Sequence, residues 1–170
     1  EFRRVLFRSP SPESAPSALE PIDLGGGVRI DTPVVLAPMS GVTDLPFRRV
    51  AKGLGAGMVV SEMIASWAMI RENRKTLDMA EVDGCGGVSA VQLAGCDPQA
   101  MAEAAQIAVA RGADLVDINF GCPVKKVAIG QAAGSALMRD EANAEAILRA
   151  TVRRSEEHTS ELQSRLHLVC

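Results

Sequence analysis

Four short apolar runs recur along this chain, at 34–37, 58–61, 88–93 and 113–119, and each gives way to a stretch with helical signals. That alternation restricts the fold more than any other feature. A strand that must run through a helix before the next strand cannot close a tight hairpin. It returns parallel, with the helix crossing over the sheet in a right-handed sense. The chain therefore reads as α/β.

The helix signals are local and specific. Thr43 or Asp44 can cap a helix whose first turn holds Pro46 and which runs to about Leu54. Gly53, Gly55 and Gly57 precede a strand instead of opening a helix, so they read as a helix stop. Residues 62–79 carry apolar side chains among Arg71, Glu72, Arg74 and Lys75, predicting a helical segment with a charged middle. After a turn over 81–87, Asp97 caps a helix that starts at Pro98, runs through alanine-rich sequence to Ala110 and stops at Arg111-Gly112. A short helix is expected over 131–138, and Asp140 caps a last one reaching Arg153. Ahead of all this, Gly25-Gly26-Gly27 interrupts the apolar sequence of 22–36 and predicts a small hairpin. Four βα units in roughly 120 residues match half of an eight-stranded barrel, or a small open sheet. Periodicity alone does not separate the two.

The two ends are unlike the middle. Residues 1–9 and 154–162 share no amino-acid pattern, yet one DNA string encodes the second on one strand and the first on the other. That string resembles a sequencing adapter. The expectation is foreign sequence at 1–9 and 154–170, a flexible Pro- and Ser-rich lead-in at 10–21, and a partial barrel domain at 22–153. His158, His167 and Cys170 then fall outside any site.

Bulk composition excludes several functions. A net charge of −3 offers no general attraction for nucleic acid, and no apolar run is long enough to span a membrane. Cys85, Cys96, Cys122 and Cys170 show no paired or metal-ligand spacing, which implies no metal site. With no secretion signal, free thiols in a reducing cytoplasm are expected. Nothing in the sequence points to a protein partner.

The chemistry concentrates at strand ends. Pro38, Met39 and Ser40 follow the first strand, Gln92 ends the third, and Asn119 and Cys122 end the fourth. In a parallel α/β fold these ends converge on one side, where active sites are built. Each residue alone is unremarkable: a lone cysteine packs as a small hydrophobe, and a lone glutamine is a common strand residue. Their convergence raises them to candidates. Lys125 and Lys126 stand close to Cys122 in sequence, so the thiol is open to activation as a thiolate or to service as a proton donor.

Three spaced motifs carry a family resemblance. Leu36-Ala37-Pro38-Met39-Ser40-Gly41-Val42-Thr43-Asp44-Leu45-Pro46-Phe47-Arg48 is the first. Val91-Gln92-Leu93 is the second. Asp117-Ile118-Asn119-Phe120-Gly121-Cys122-Pro123-Val124-Lys125-Lys126-Val127 is the third, with Ala133-Gly134-Ser135-Ala136-Leu137 beyond it. Together they resemble the tRNA-dihydrouridine synthases, and the stretch after Cys122 resembles the bacterial B-type branch. The resemblance implies a flavin oxidoreductase on a (β/α)8 TIM barrel, of which this chain holds the N-terminal half. It implies FMN as cofactor, NADPH as reductant and tRNA as substrate, with the C5=C6 bond of a uridine reduced to dihydrouridine. By motif position Cys122 is the acid that protonates C5. Pro38, Met39, Ser40 and Gln92 match cofactor-binding positions, and Asn119 matches a position near the target base. Lys125 and Lys126 are expected to meet RNA phosphate. The chain alone is expected to be inactive, because later strands and an RNA-binding helical domain would follow Arg153. Two other readings compete: a flavin barrel oxidoreductase acting on a small pyrimidine, and an RNA-binding remnant without catalysis.

Overall fold

A computed structural model of the chain describes residues 20–82 and 86–156. Residues 10–19 of the expected lead-in at 10–21, the terminal segments 1–9 and 157–170, and Cys85 lie outside the described residues.

The chain enters through an antiparallel hairpin, β1 (Ile22–Gly25) and β2 (Val28–Ile30). Its turn needs three successive residues at positive φ, at Gly25 (80°), Gly26 (51°) and Gly27 (81°). Only glycine takes such angles without strain, which accounts for the triplet.

The main sheet is wholly parallel. It runs β3 (Val35–Leu36), β4 (Met58–Val60), β6 (Val88–Ala94), β7 (Leu115–Ile118), with β5 (Ile64–Ala65) also pairing the far end of β6. The sheet is open, with β3 and β7 at its edges. The α/β class and parallel sheet are as expected; the two-residue β5 was not.

β6 is the spine, with all seven residues buried. Alternate side chains serve different cores, as strand geometry requires. Val91 and Leu93 pack with Met101, Ala104, Ala105 and Ala108 of α4 (Pro98–Ala110) and Ile147 of α6 (Glu141–Glu156). Small alanines let α4 lie close to both the strand and α6. Val88 and Ala90 turn the other way, onto Met58, Val60, Leu115 and the hairpin residues Val28 and Ile30. Each fully buried residue such as Leu93 or Met101 contributes about 1.5–3 kcal/mol to the fold.

The strong caps appear where expected. The Asp44 carboxylate accepts from Phe47 N at 3.0 Å and starts α1 (Leu45–Gly53). That of Asp97 accepts from Ala100 N at 2.7 Å and starts α4. That of Asp140 accepts from Asn143 N at 3.1 Å ahead of α6. Thr43 is not the cap: it is fully buried, and its hydroxyl bridges back to Met39 N and O at 3.0 and 3.1 Å.

Residues 62–79 correct the sequence expectation. In place of one helical segment there are β5, α2 (Ser66–Ile70) and α3 (Arg74–Met79). Glu72 takes φ +47°, and Asn73 starts a fresh helix by accepting from Thr76 N at 2.9 Å. Propensity favoured continuity, but a side-chain cap inside the segment stops it. A second correction falls after Cys122. A one-turn helix, α5 (Lys125–Ala128), stands where no helix was expected, and the helix expected over 131–138 is a 3-10 turn at Gly134–Arg139.

Candidate functional site

A cleft of about 670 Å³ opens at the C-terminal ends of β3, β4, β6 and β7. Its lining is mostly apolar, with Val35, Ala37, Met58, Val60, Phe120 and Met138, and carries a polar cluster of Gln92, Asp117 and Asn119. Pro38 and Cys122 also line it.

Strand alternation explains the polar cluster. On β6, Gln92 shares a face with Val88 and Ala90. On β7, Asp117 shares a face with Leu115, and the strand runs out at Asn119 on that same side. Parallel register sets Gln92 opposite Asp117. The bonds that result form a continuous relay. Gln92 Nε2 donates to Asp117 Oδ2 at 2.7 Å, and Asn119 Nδ2 donates to Gln92 Oε1 at 3.1 Å. Asn119 Oδ1 accepts from Cys122 N at 2.9 Å and from Gly121 N at 3.2 Å. Asn119 Nδ2 also reaches Met63 Sδ at 3.4 Å. Gln92 N in turn donates to Ser61 Oγ at 3.0 Å, which anchors the strand itself.

Burial holds the Asp117 carboxyl above its ordinary value of 3.8, against a smaller opposing effect of the Gln92 hydrogen bond.

The Cys122 loop is held from a second direction. Ser135 N donates to Cys122 O at 3.0 Å. Gly134, at φ +60°, lies against the same carbonyl, where an added Cβ would stand 2.6 Å from Cys122 O. The 3-10 turn thus clamps the loop on one side while Asn119 pins its amide on the other. Cys122 itself stays half-buried with a free thiol.

Four of the residues chosen from sequence come together here: Pro38, Gln92, Asn119 and Cys122. The other four do not line the cleft. Met39 and Ser40 are exposed beyond Pro38, and the Met39 backbone is tied to Thr43. Lys125 and Lys126 are exposed on α5. Asp117 was missed, although a lone carboxylate between Val116 and Ile118, two residues before Asn119, was the signal that would have found it. Among the described residues no group of three or more His, Cys, Asp or Glu is arranged to hold a metal. No helix among them is long and apolar enough to cross a membrane.

Comparison with known proteins adds a family. The family described as Dihydrouridine synthase (Dus) matches residues 35–164. The chain is 53% identical over 128 residues to a probable tRNA-dihydrouridine synthase of Rickettsia conorii, covering 75% of this chain and 38% of that protein. It is 54% identical over 129 residues to the Rickettsia bellii counterpart, covering 75% and 39%. It is 53% identical over 120 residues to tRNA-dihydrouridine synthase B of Pseudomonas aeruginosa, covering 71% and 36%. The chain spans under two fifths of the length of these curated relatives.

Proposed function

Since the chain belongs to the dihydrouridine synthase family, we propose that it contributes the proton-donating side of a site that reduces the C5=C6 bond of chosen uridines in tRNA to dihydrouridine. The carrying observation is the cleft itself. It brings Cys122, on a loop pinned at both its amide and its carbonyl, to the same opening as Gln92 and Asn119.

The lining fits a flavin. Apolar walls from Val35, Met58 and Val60 suit a flat ring system, and the polar edge of Gln92 suits its heteroatoms. Pro38 and Gln92 would hold FMN within the cleft, with Met39 and Ser40 flanking Pro38 at its margin. When bound and reduced by NADPH, the flavin supplies hydride.

The chain's own residues do the rest. Cys122 holds a proton on Sγ and delivers it to C5, a role that needs a fixed donor more than an acidic one. Asn119 sets the position of the Cys122 loop beside the base. Lys125 and Lys126, exposed on α5, face phosphates of the incoming strand. The target uridine has to leave its stack to reach such a cleft. The names of the relatives support tRNA as substrate.

In this reading the chain is the first half of a (β/α)8 barrel. The four successive parallel strands β3, β4, β6 and β7 support it, as does the hairpin packed on their inner face. Residues 22–153 are then the barrel portion behind a lead-in at 10–21, and 1–9 and 154–170 are foreign flanks, although the family match to 164 and the last turn of α6 run into the second of them; the isolated chain is inactive, and the whole protein is cytoplasmic.

The test begins at the locus. Source DNA is sequenced outward past both ends, and the complete frame is expressed in cells lacking their own dihydrouridine synthases. Dihydrouridine in tRNA is then measured by mass spectrometry. Restoration by the intact frame and not by Cys122→Ala supports the reading. A frame that ends within 154–170, or restoration by both forms, overturns it.

A further inference from the structure

We propose that Asp117 is a positioning residue of this site, anchoring the hydrogen-bond relay that passes through Gln92 and Asn119 to the backbone amide of Cys122. The inference deepens the reading of Cys122 as proton donor, because it names what holds that donor's loop in place.

The argument is one of direction. The two ends of a Gln or Asn amide are nearly the same size, so hydrogen-bond partners decide which end faces where. An ionised carboxylate only accepts. Asp117 Oδ2 therefore takes Gln92 Nε2, at 2.7 Å, and leaves Gln92 Oε1 for its other neighbour. Asn119 must then offer Nδ2, at 3.1 Å, which turns its Oδ1 toward the Cys122 and Gly121 amides. Backbone amides only donate, so both ends of the relay demand the same direction. Asn119 uses its whole capacity in this way, with Met63 Sδ taking its remaining hydrogen.

Burial makes the arrangement consequential. Gln92 is 6% exposed, and within such surroundings a charge-assisted bond is stronger and a misdirected amide is costly. Gln92 keeps one Nε2 hydrogen for a ligand acceptor. Asp117 therefore also determines that the cleft offers a donor at that point.

The acids that flank β7 and β4 are engaged elsewhere. Asp114 Oδ2 accepts from Ser89 N, and Glu62 Oε2 accepts from Gly41 N. Asp117 is the carboxylate that reaches Gln92.

The test follows nuclear magnetic resonance signals of the uniformly 15N-labelled complete protein, expressed from the full frame, from about pH 3 to 7, the range in which carboxylates titrate. The side-chain amides of Gln92 and Asn119 and the backbone amide of Cys122 are expected to shift together, with one midpoint above 3.8. In Asp117→Asn that shared titration is lost while the rest of the spectrum is kept. A Cys122 amide that does not follow Gln92, or a shared titration that persists in Asp117→Asn, overturns the proposal. The wild-type titration requires no variant, so a poorly folded mutant does not block the test. It also requires no flavin, tRNA or turnover. A chain whose complete protein lacked synthase activity would give the same titration, so failure of the functional reading and failure of the relay are told apart.

Discussion

Gln92 and Asp117 stand directly opposite each other on neighbouring parallel strands, and Gln92 Nε2 donates to Asp117 Oδ2 at 2.7 Å. Parallel pairing carries no turn to bring two such residues together. Their meeting is a product of register, and a slip of one residue on either strand would place them on opposite faces of the sheet.

The partly buried Asp117 carboxyl gives the fold a pH signature. The Asp117 pKa is raised in the folded state, so the native chain holds this proton to higher pH than the unfolded chain does. Between 3.8 and the folded value the unfolded state binds fewer protons, and this group's contribution to stability falls as pH rises. Above the folded value the loss is complete and constant. Asp117→Asn should remove that decline. Urea unfolding midpoints measured across the window would show a flatter profile for the variant, and an unchanged slope would count against the assignment.

Cys122→Ala, introduced into the complete protein, should lower dihydrouridine formation by about 10²- to 10⁴-fold, the usual contribution of a placed general acid. Flavin content should stay the same, because alanine keeps the Cβ at this point of the cleft lining and removes only the donor. Steady-state rates on unmodified tRNA, read beside the flavin absorbance, check both halves.

Gly134→Ala should destabilise the chain by roughly 1–3 kcal/mol, the usual cost of holding a side chain at a left-handed backbone angle. The new Cβ would also press on the Cys122 carbonyl from 2.6 Å, so the Ser135 N to Cys122 O bond should be lost with it. Denaturant unfolding gives the first effect. Faster modification of Cys122 by a thiol reagent, with the other three cysteines replaced, gives the second.

Lys125→Ala with Lys126→Ala in the complete protein should weaken tRNA binding without regard to sequence. Two lost phosphate contacts should reduce the slope of log affinity against log salt by roughly 1.4 to 1.8. Binding isotherms at several salt concentrations test this, and an unaltered slope would remove both lysines from the interface.

Much of the fold is legible in the sequence. Asp44 with Pro46, and Asp97 with Pro98, announce helix starts through contacts within four residues, and both caps stand as expected. The strand of 88–93 was legible because a buried parallel strand is apolar on both faces. The break at Glu72 and Asn73 was not, since helix-forming sequence continues through it and only the observed cap ends it. The candidate site divides in the same way. Pro38, Gln92, Asn119 and Cys122 were found because each was read at or just beyond a strand end, although β6 continues two residues past Gln92. Met39 and Ser40 were grouped with Pro38, although the chain turns away from the cleft after Pro38 to satisfy Thr43.

What the sequence determined by itself was therefore whatever is decided by near neighbours: the order of strands and helices, the caps, the glycine turn at Gly25–Gly27, and the motif that carries the family likeness. What only the tertiary structure decided was which groups share hydrogen bonds across the sheet. Asp117, Gln92 and Asn119 lie on two strands joined through α4, and no local pattern states which end of an amide will face which partner. That choice follows from parallel register, from the burial of Gln92 between its two partners, and from a carboxylate and a backbone amide that each tolerate only one direction.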